Sequence, residues 1–447
     1  MVSTMNTERY QMGETHYSYK KIFTIVLPPI VSTIFTAVYN IVDGVFISNF
    51  AGKDAFAALN LIYPWIMVLS SFGFMLGAGG SALVAKTMGE GQEKKAREYF
   101  TMLSMTALLM GVILAVLGWI FMEPMAYILG ADATTVSDCL VYGRIQCFSL
   151  PFFVTLGCYV SFWVTAGKER LGFWVTVLGG VCNAVFDWIF MYLFHMGLKG
   201  AAIATAMNIG MTGFIPLIYF AKKRKGSSLW YVPFRPDWKA FLKSCSNGAS
   251  EMVSNLSMSF VTVIYNLQLV RLAGNAGVDA YGVVAYIIFI CISFFLGYGI
   301  GIAPSISFHY GARHRDTVKE LYSKSLRIIL ITGLIMSAGS FLMAVPAAEL
   351  FASYDGELYA LTVNAVRLSS LAYIFAGINI FSSAYFTALN NGLVSAVLSF
   401  SRTFALQIGA IYLLVFLWGL DGIWVAQTVA EIMTLGVSVY FLRRLKR

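Results

Sequence analysis

Charge is the first thing this chain lacks. Asp, Glu, Lys and Arg make up 12% of its 447 residues, against 58% hydrophobic residues. A soluble domain carries about 25% charged residues, so these polar side chains are too few to coat a water-soluble globule of this length. Cysteine is sparse as well. Cys139, Cys147, Cys158, Cys182, Cys245 and Cys291 form no CxxC pair and mostly sit within apolar runs. That excludes a disulfide scaffold or a structural zinc site and leaves small core residues. The four histidines, His16, His195, His309 and His314, show no HExxH or HxxxH spacing, which speaks against a metal-dependent membrane enzyme. The glycine-rich stretch from Gly73 to Gly91 is not followed by G-K-[ST], so no ATP site and no bound cofactor are expected. Collagen, coiled-coil and disordered classes fall to the same composition.

What the chain has instead is long apolar runs, with a mean hydropathy of +0.74. A spanning helix uses about 20 apolar residues. Runs bounded by turn signals predict twelve spans, roughly 21–50, 54–86, 97–121, 134–166, 171–194, 199–221, 241–273, 279–310, 318–346, 357–389, 393–417 and 421–442. The net charge of +9 does not point to nucleic acid, because its placement follows the spans. Lys20-Lys21, Lys94-Lys95-Arg97, Lys168/Arg170, Lys222 to Lys225, Arg235/Lys239/Lys243, Arg313/Arg315/Lys319 and Arg443 to Arg447 fall on alternate connections. The intervening connections hold mainly Asp, Glu and Gly, with Lys53 and Lys199 as the basic exceptions. This positive-inside pattern places both termini in the cytoplasm of a multi-pass membrane protein. The N-terminus lacks a cleavage-site pattern, so the first run is expected to be a retained helix.

The chain repeats itself. At an offset of 222 residues Gly52 meets Gly274, Gly77 meets Gly299, Gly79 meets Gly301, Gly89 meets Gly311, and Thr165-Ala166 meets Thr387-Ala388. The run Gly197-Leu198-Lys199-Gly200 meets Gly419-Leu420-Asp421-Gly422, and with local gaps Arg144 meets Arg367 and Tyr39-Asn40 meets Tyr265-Asn266. The expected organisation is an all-α protein of two six-helix bundles, residues 1–221 and 241–447, joined by a basic cytoplasmic linker at 222–240. An even number of spans per half makes the repeats parallel, related by an axis along the membrane normal. Parallel repeats suit transporters whose substrate site lies between two rocking bundles.

Four carboxylates fall inside spans: Asp43, Asp187, Glu251 and Glu431. Each costs about 2.5–3.5 kcal/mol at a helix centre on insertion scales, so each is a functional candidate by default. Asn183 and Asp187 stand at i, i+4 on one face of span 5, as do Tyr39 and Asp43 in span 1, and Thr205 in span 6 offers a hydroxyl. Beyond Lys21 and Lys199 at their first positions, no Lys or Arg lies within these spans to neutralise the acids. Two close carboxylates in low dielectric are then expected to share a proton or to bind Na⁺. Pro28 and Pro29 remove backbone hydrogen bonds from span 1 and allow a bend. In the second half the repeat replaces Asn183, Asp187 and Thr205 by Ala405, Gly409 and Gln427. That half instead offers Glu251 with Asn255, Arg402 in span 11, and Glu431. The first three form a possible second site, and Glu431 is expected to be a structural partner for a buried arginine.

These residues resemble the multidrug and toxic compound extrusion (MATE) family, over essentially the whole chain. The resemblance rests on PPIVSTIFTAVYNIVDGVFISNFAG in span 1, NAVFD in span 5, GAAIAT in span 6 and LGAGGSALVAKTMGEG at the end of span 2. It is strongest to the DinF-like bacterial branch, and implies a cation-coupling site at Asp43 and Asp187 supported by Tyr39, Asn183 and Thr205. It further implies an antiporter of the bacterial cytoplasmic membrane, driven by H⁺ or Na⁺, that exports amphipathic and often cationic compounds. Substrate contacts are sought among soft or aromatic side chains such as Tyr39, Phe153, Tyr265, Met252 and Met258. A monomer suffices, since one duplicated chain forms a whole pathway. The rival expectation is a flippase for lipid-linked precursors, with Arg144, Arg271, Arg367 and Arg402 lining a cationic cavity.

Overall fold

A computed structural model describes residues 15–51, 53–353 and 355–445. Gly52 of the repeat, the first fourteen residues, and Lys446 and Arg447 of the basic tail lie outside them. The first half comprises α1 (Tyr19–Phe50), α2 (Lys53–Gly89), α3 (Glu93–Ile120), the short α4 (Met122–Ile128), α5 (Val136–Thr165), α6 (Glu169–Asp187) and α7 (Gly197–Phe220). The second comprises α8 (Trp238–Gly311), α9 (Arg315–Ala352), α10 (Gly356–Ser370), α11 (Ala372–Ala388), α12 (Gly392–Phe400), α13 (Leu406–Trp418) and α14 (Leu420–Leu445). Two π-helical turns interrupt them, Trp188–Leu193 after α6 and Ser401–Ala405 between α12 and α13. Among the described residues eleven helical segments, the two arms of α8 counted apart, are long and apolar enough to cross a bilayer, and α10 with α11 makes a twelfth, bent by 44°. The expected all-α, twelve-span architecture is therefore the observed one.

Two of its details differ from the sequence reading. The seventh and eighth spans run into each other as the two arms of α8, broken where Gly274 takes φ 60°, ψ −148°. Backbone of that kind suits glycine alone. The tenth span, read as a single helix, is split between Ser370 and Ala372. There the Ser370 hydroxyl donates to the carbonyl of Arg367 at 2.7 Å and the Ser369 hydroxyl to that of Trp424 at 3.3 Å. Hydroxyls bonding to backbone carbonyls loosen and bend a helix in this way. Pro28 and Pro29 leave α1 unbroken.

The duplication is written into the backbone. Gly91 and Arg313, Gly197 and Gly419, and Gly167 and Asn390 all have positive φ, and each pair stands 222 or 223 residues apart. The same helix ends are thus made twice, once by glycine and again by glycine or by a residue held there.

The halves meet at the end of the molecule that carries the basic loops, through glycines. A Cβ on Gly79 of α2 would lie 2.0 Å from the Ser244 carbonyl oxygen of α8, and one on Gly248 lies 1.9 Å from that of Met75. Gly89 approaches Phe308 and Gly301 approaches Val26 in the same manner. Thr33 of α1 donates to the Ser293 carbonyl of α8 at 2.7 Å. The segment before α1 joins in: Tyr17 is fully buried among residues of α8 and α9, and Lys324 donates to its carbonyl at 2.6 Å. Small residues let helices approach in lipid, where no hydrophobic force brings them together. Gly79→Val is accordingly expected to cost about 1–3 kcal/mol through overpacking against backbone that cannot yield. Thermal unfolding in detergent checks this, with Gly436→Val as control because nothing lies within 4 Å of a Cβ there. Equal losses in the two variants would remove the contact as their cause.

Candidate ion-coupling site

Three helices build the site at the end of the first half remote from the basic loops: α1 brings Tyr39 and Asp43, α6 brings Asn183 and Asp187, and α7 brings Thr205 and Asn208. The i, i+4 spacings put each acid one turn beyond its polar neighbour on the same face. Asp187 is fully buried and Asn183 almost so. The carboxyl groups of Asp43 and Asp187 face and act directly on one another. Among the described residues no Lys, Arg or His counts among the charges acting on either. Tyr63 of α2 and Tyr142 of α5 stand close enough to feel Asp43, with Tyr142 beside Thr205, and Tyr39 reaches Asn208 and Thr36.

The hydrogen bonding of this cluster is incomplete. Asp43 Oδ1, both carboxylate oxygens of Asp187, Asn183 Nδ2 and Thr205 Oγ1 are buried without a hydrogen-bond partner. Buried acceptors of this kind are costly unless satisfied. Two facing acceptor groups lack a donor between them, a lack that a proton or a cation would meet. An ion entering here would find two carboxylates, with the Thr205 hydroxyl beside them, an oxygen set suited to a hard cation. The π-turn Trp188–Leu193 begins immediately after Asp187, and π-turns of this sort recur at functional sites.

The structure thus brings together Tyr39, Asp43, Asn183, Asp187 and Thr205. Pro28 and Pro29 lie further along α1, where a Cβ on Gly297 of α8 would lie 2.8 Å from the Pro29 carbonyl oxygen. Sequence reading omitted Tyr63, Tyr142 and Asn208, whose only signal was a polar atom within an apolar run. It also omitted Glu169, almost fully buried beside a cavity of about 70 Å³ shared with Pro29, Thr36 and Thr176. Placed between Lys168 and Arg170, that acid reads as a loop charge.

In the second half the residues pair differently from the expected trio. Arg402 Nε donates to Glu431 Oε1 at 2.8 Å, and Asn379 Nδ2 donates to Glu431 Oε2 at 2.8 Å. Ser438 closes the network on Asn379 Oδ1 at 3.0 Å. Glu251 is half-buried and feels the charge of Arg402. Asn255 donates to the backbone carbonyl of Glu251 at 2.9 Å, so the side chains of these two are not coupled. Glu431 holds the structural position expected of it, with Arg402 as its partner.

The substrate-contact candidates are scattered. Phe153 belongs to the packed core of the first half, Met252 is half-buried and Met258 is exposed. Tyr265 is buried, accepts a hydrogen bond from Gln407 at 2.7 Å and stacks on Tyr281 at 5.0 Å. Arg144 lies over Trp119 at 5.5 Å and Arg367 over Phe341 at 5.2 Å, a cation–π pair made once in each half at repeat-related positions. Among the described residues no group of three or more His, Cys, Asp or Glu could hold a metal ion.

A duplicated twelve-span bundle whose halves meet at one end, with an acid pair buried in one half, has the architecture of a membrane transporter. The chain belongs to the MatE family, whose model matches it twice, over residues 28–189 and 251–413. It is 23% identical to the multidrug export protein MepA of Staphylococcus haemolyticus, over 98% of this chain and 97% of that one. It is 24% identical to the probable multidrug resistance protein YoeA of Bacillus subtilis, over 92% and 90% of the two chains. A crystal structure of a MATE protein in complex with MaL6 superposes with a TM-score of 0.90 at 22% identity, covering 97% of both chains.

Proposed function

We propose that this protein is a multidrug efflux transporter that exports amphipathic, often cationic organic compounds in exchange for entering H⁺ or Na⁺. It works by alternating access in the bacterial cytoplasmic membrane, with both termini inside and a monomer as the working unit. The observation that carries the ion coupling is the facing pair Asp43 and Asp187, with buried unpartnered oxygens and, among the described residues, no cation acting on them. The names of the relatives support the export of drugs. No ATP is called for: one charge moving across 100 mV is worth about 2.3 kcal/mol, and a tenfold ion gradient adds about 1.4 kcal/mol. Together they sustain a substrate gradient of several hundredfold per coupled ion.

The coupling route runs along α1. An ion at Asp43 removes one of the pair's two negative charges, relieves the repulsion between them and lets α1 and α6 close on each other. Bending at Pro28 and Pro29 then disturbs the seam that Pro29 and Thr33 make with Gly297 and Ser293 of α8. Loosening that seam opens the end that is closed here, and ion and substrate each bias the equilibrium by their preference for one state. Against the flippase reading stand the pairing of Arg402 with Glu431 and the placement of Arg144 and Arg367 over aromatic rings; Arg271 is exposed.

Purified protein in liposomes, given separate pH and Na⁺ gradients and a fluorescent cationic dye such as ethidium, tests this. Dye movement under one gradient and not the other names the ion. Folded protein that moves dye under neither would remove antiport from the reading.

A further inference from the structure

A second cavity, of about 230 Å³, lies at the basic-loop end, between the last turn of α2, the first turns of α3 and the start of α8. Lys86, Lys95, Lys239 and Lys243 line it, with Glu90 and Asp237 as the carboxylates on its wall. Both acids are engaged. Asp237 caps α8 by accepting from the Ala240 N–H at 3.0 Å and accepts the Tyr99 hydroxyl at 3.2 Å, which holds its carboxyl below the usual range. Glu90 lies 3.8 Å from Lys86. Lys239 and Lys243 have no carboxylate at ion-pair distance among the described residues. The cavity therefore presents two uncompensated lysines, one helical turn apart.

What lies beside these lysines identifies the ligand. On the adjoining face of α8, Trp238 and Leu242 stand at the same i, i+4 spacing, 72% and 63% exposed. An exposed Trp–Leu strip at a span end is an interfacial anchor, set at the depth of lipid headgroups. Basic pockets between spans at that depth suit anionic headgroups. We propose that this cavity binds a phosphate-bearing anion, foremost the headgroup of an anionic phospholipid whose chains run along Trp238 and Leu242. The phosphate would sit between Lys239 and Lys243, with Lys95 as the third cation. Because α2 and α3 belong to one half and α8 to the other, the bound anion ties the halves together close to the Gly79–Gly248 contact. It thereby favours the arrangement closed at this end. The binding does not depend on which ion or substrate is transported.

Native mass spectrometry of the full-length protein in detergent, with phosphatidylglycerol and phosphatidylcholine offered together, tests the proposal. Wild type is expected to retain phosphatidylglycerol preferentially. K239Q/K243Q should weaken that retention roughly thirtyfold, as two lysines of about fivefold each, and K239R/K243R should restore it. Both lysines are exposed, so the variants are expected to fold, and their unfolding temperatures without added lipid verify this. A parallel series with inorganic phosphate separates the sources. Stabilisation by phosphate that depends on Lys239 and Lys243, without lipid preference, assigns the site to a soluble phosphate. Equal phosphatidylglycerol retention by wild type and K239Q/K243Q, or no response of wild type to either probe, overturns the proposal.

Discussion

Replacing Asp43 and Asp187 together by Asn is expected to abolish gradient-driven efflux, a loss of at least about a hundredfold, while leaving the protein folded. The amide keeps the size of the carboxyl and removes the charge. Each buried carboxylate costs about 2.5–3.5 kcal/mol to insert, and Asp43 Oδ1 and both Asp187 oxygens already lack a hydrogen-bond partner. Thermal stability is therefore expected to hold or to rise. Coupling has no such reserve, because without an ionisable pair there is nothing whose occupancy changes with the ion gradient. The single variants should separate the roles: Asp187→Asn leaves Asp43 as the lone acid and should weaken ion binding, whereas Asp43→Asn also cuts the link to α1 and its prolines. Dye efflux from liposomes under the effective gradient is the measurement. Wild-type rates in the double variant would take the pair out of the mechanism, and a fall in unfolding temperature parallel to the loss would make it structural.

Much of this was legible in the sequence because the bilayer simplifies the code. A chain must satisfy its backbone within helices when it crosses lipid, so apolar length alone marks the spans. The repeat was legible because glycine positions are geometric: Gly197 and Gly419 share a positive φ that few other residues accept. Asp43 and Asp187 were legible as a pair because charges within spans are rare enough to be compared one by one. Tyr63 and Tyr142 were not, since they reach the acids from α2 and α5 and no spacing in the sequence relates them. The π-turn after Asp187 leaves no mark in WIFMYL, and the break at Leu371 contains neither Pro nor Gly, only the two serines before it. Arg144 and Arg367 were visible as a repeat, yet the aromatic partners that explain them, Trp119 and Phe341, stand at the repeat offset of 222 residues and carried the missing signal.

Glu431→Leu alone is expected to destabilise the protein by about 3–5 kcal/mol, because it strands Arg402. The Glu431 side chain is 4% exposed and that of Arg402 15%, so water cannot replace the lost partner. Asn379, whose Nδ2 donates to both the carboxylate and the backbone carbonyl of Glu431, loses one of its two acceptors as well. Removing both charges is a different matter: Arg402→Met with Glu431→Leu leaves neither ion to desolvate and should recover most of the loss. The unfolding free energies of wild type, the two single variants and the double variant close a cycle that isolates the coupling between the residues. A coupling under about 1 kcal/mol would place the pair in water rather than in the bundle. Transport in the double variant then decides the role of the second half. If it runs near the wild-type rate, Arg402 and Glu431 hold α11, α14 and the π-turn at Ser401–Ala405 together and do nothing more. If the double variant is stable but silent, the charge that Arg402 presents to Glu251 belongs to the transport cycle, and the two halves, built alike, contribute different ions to it.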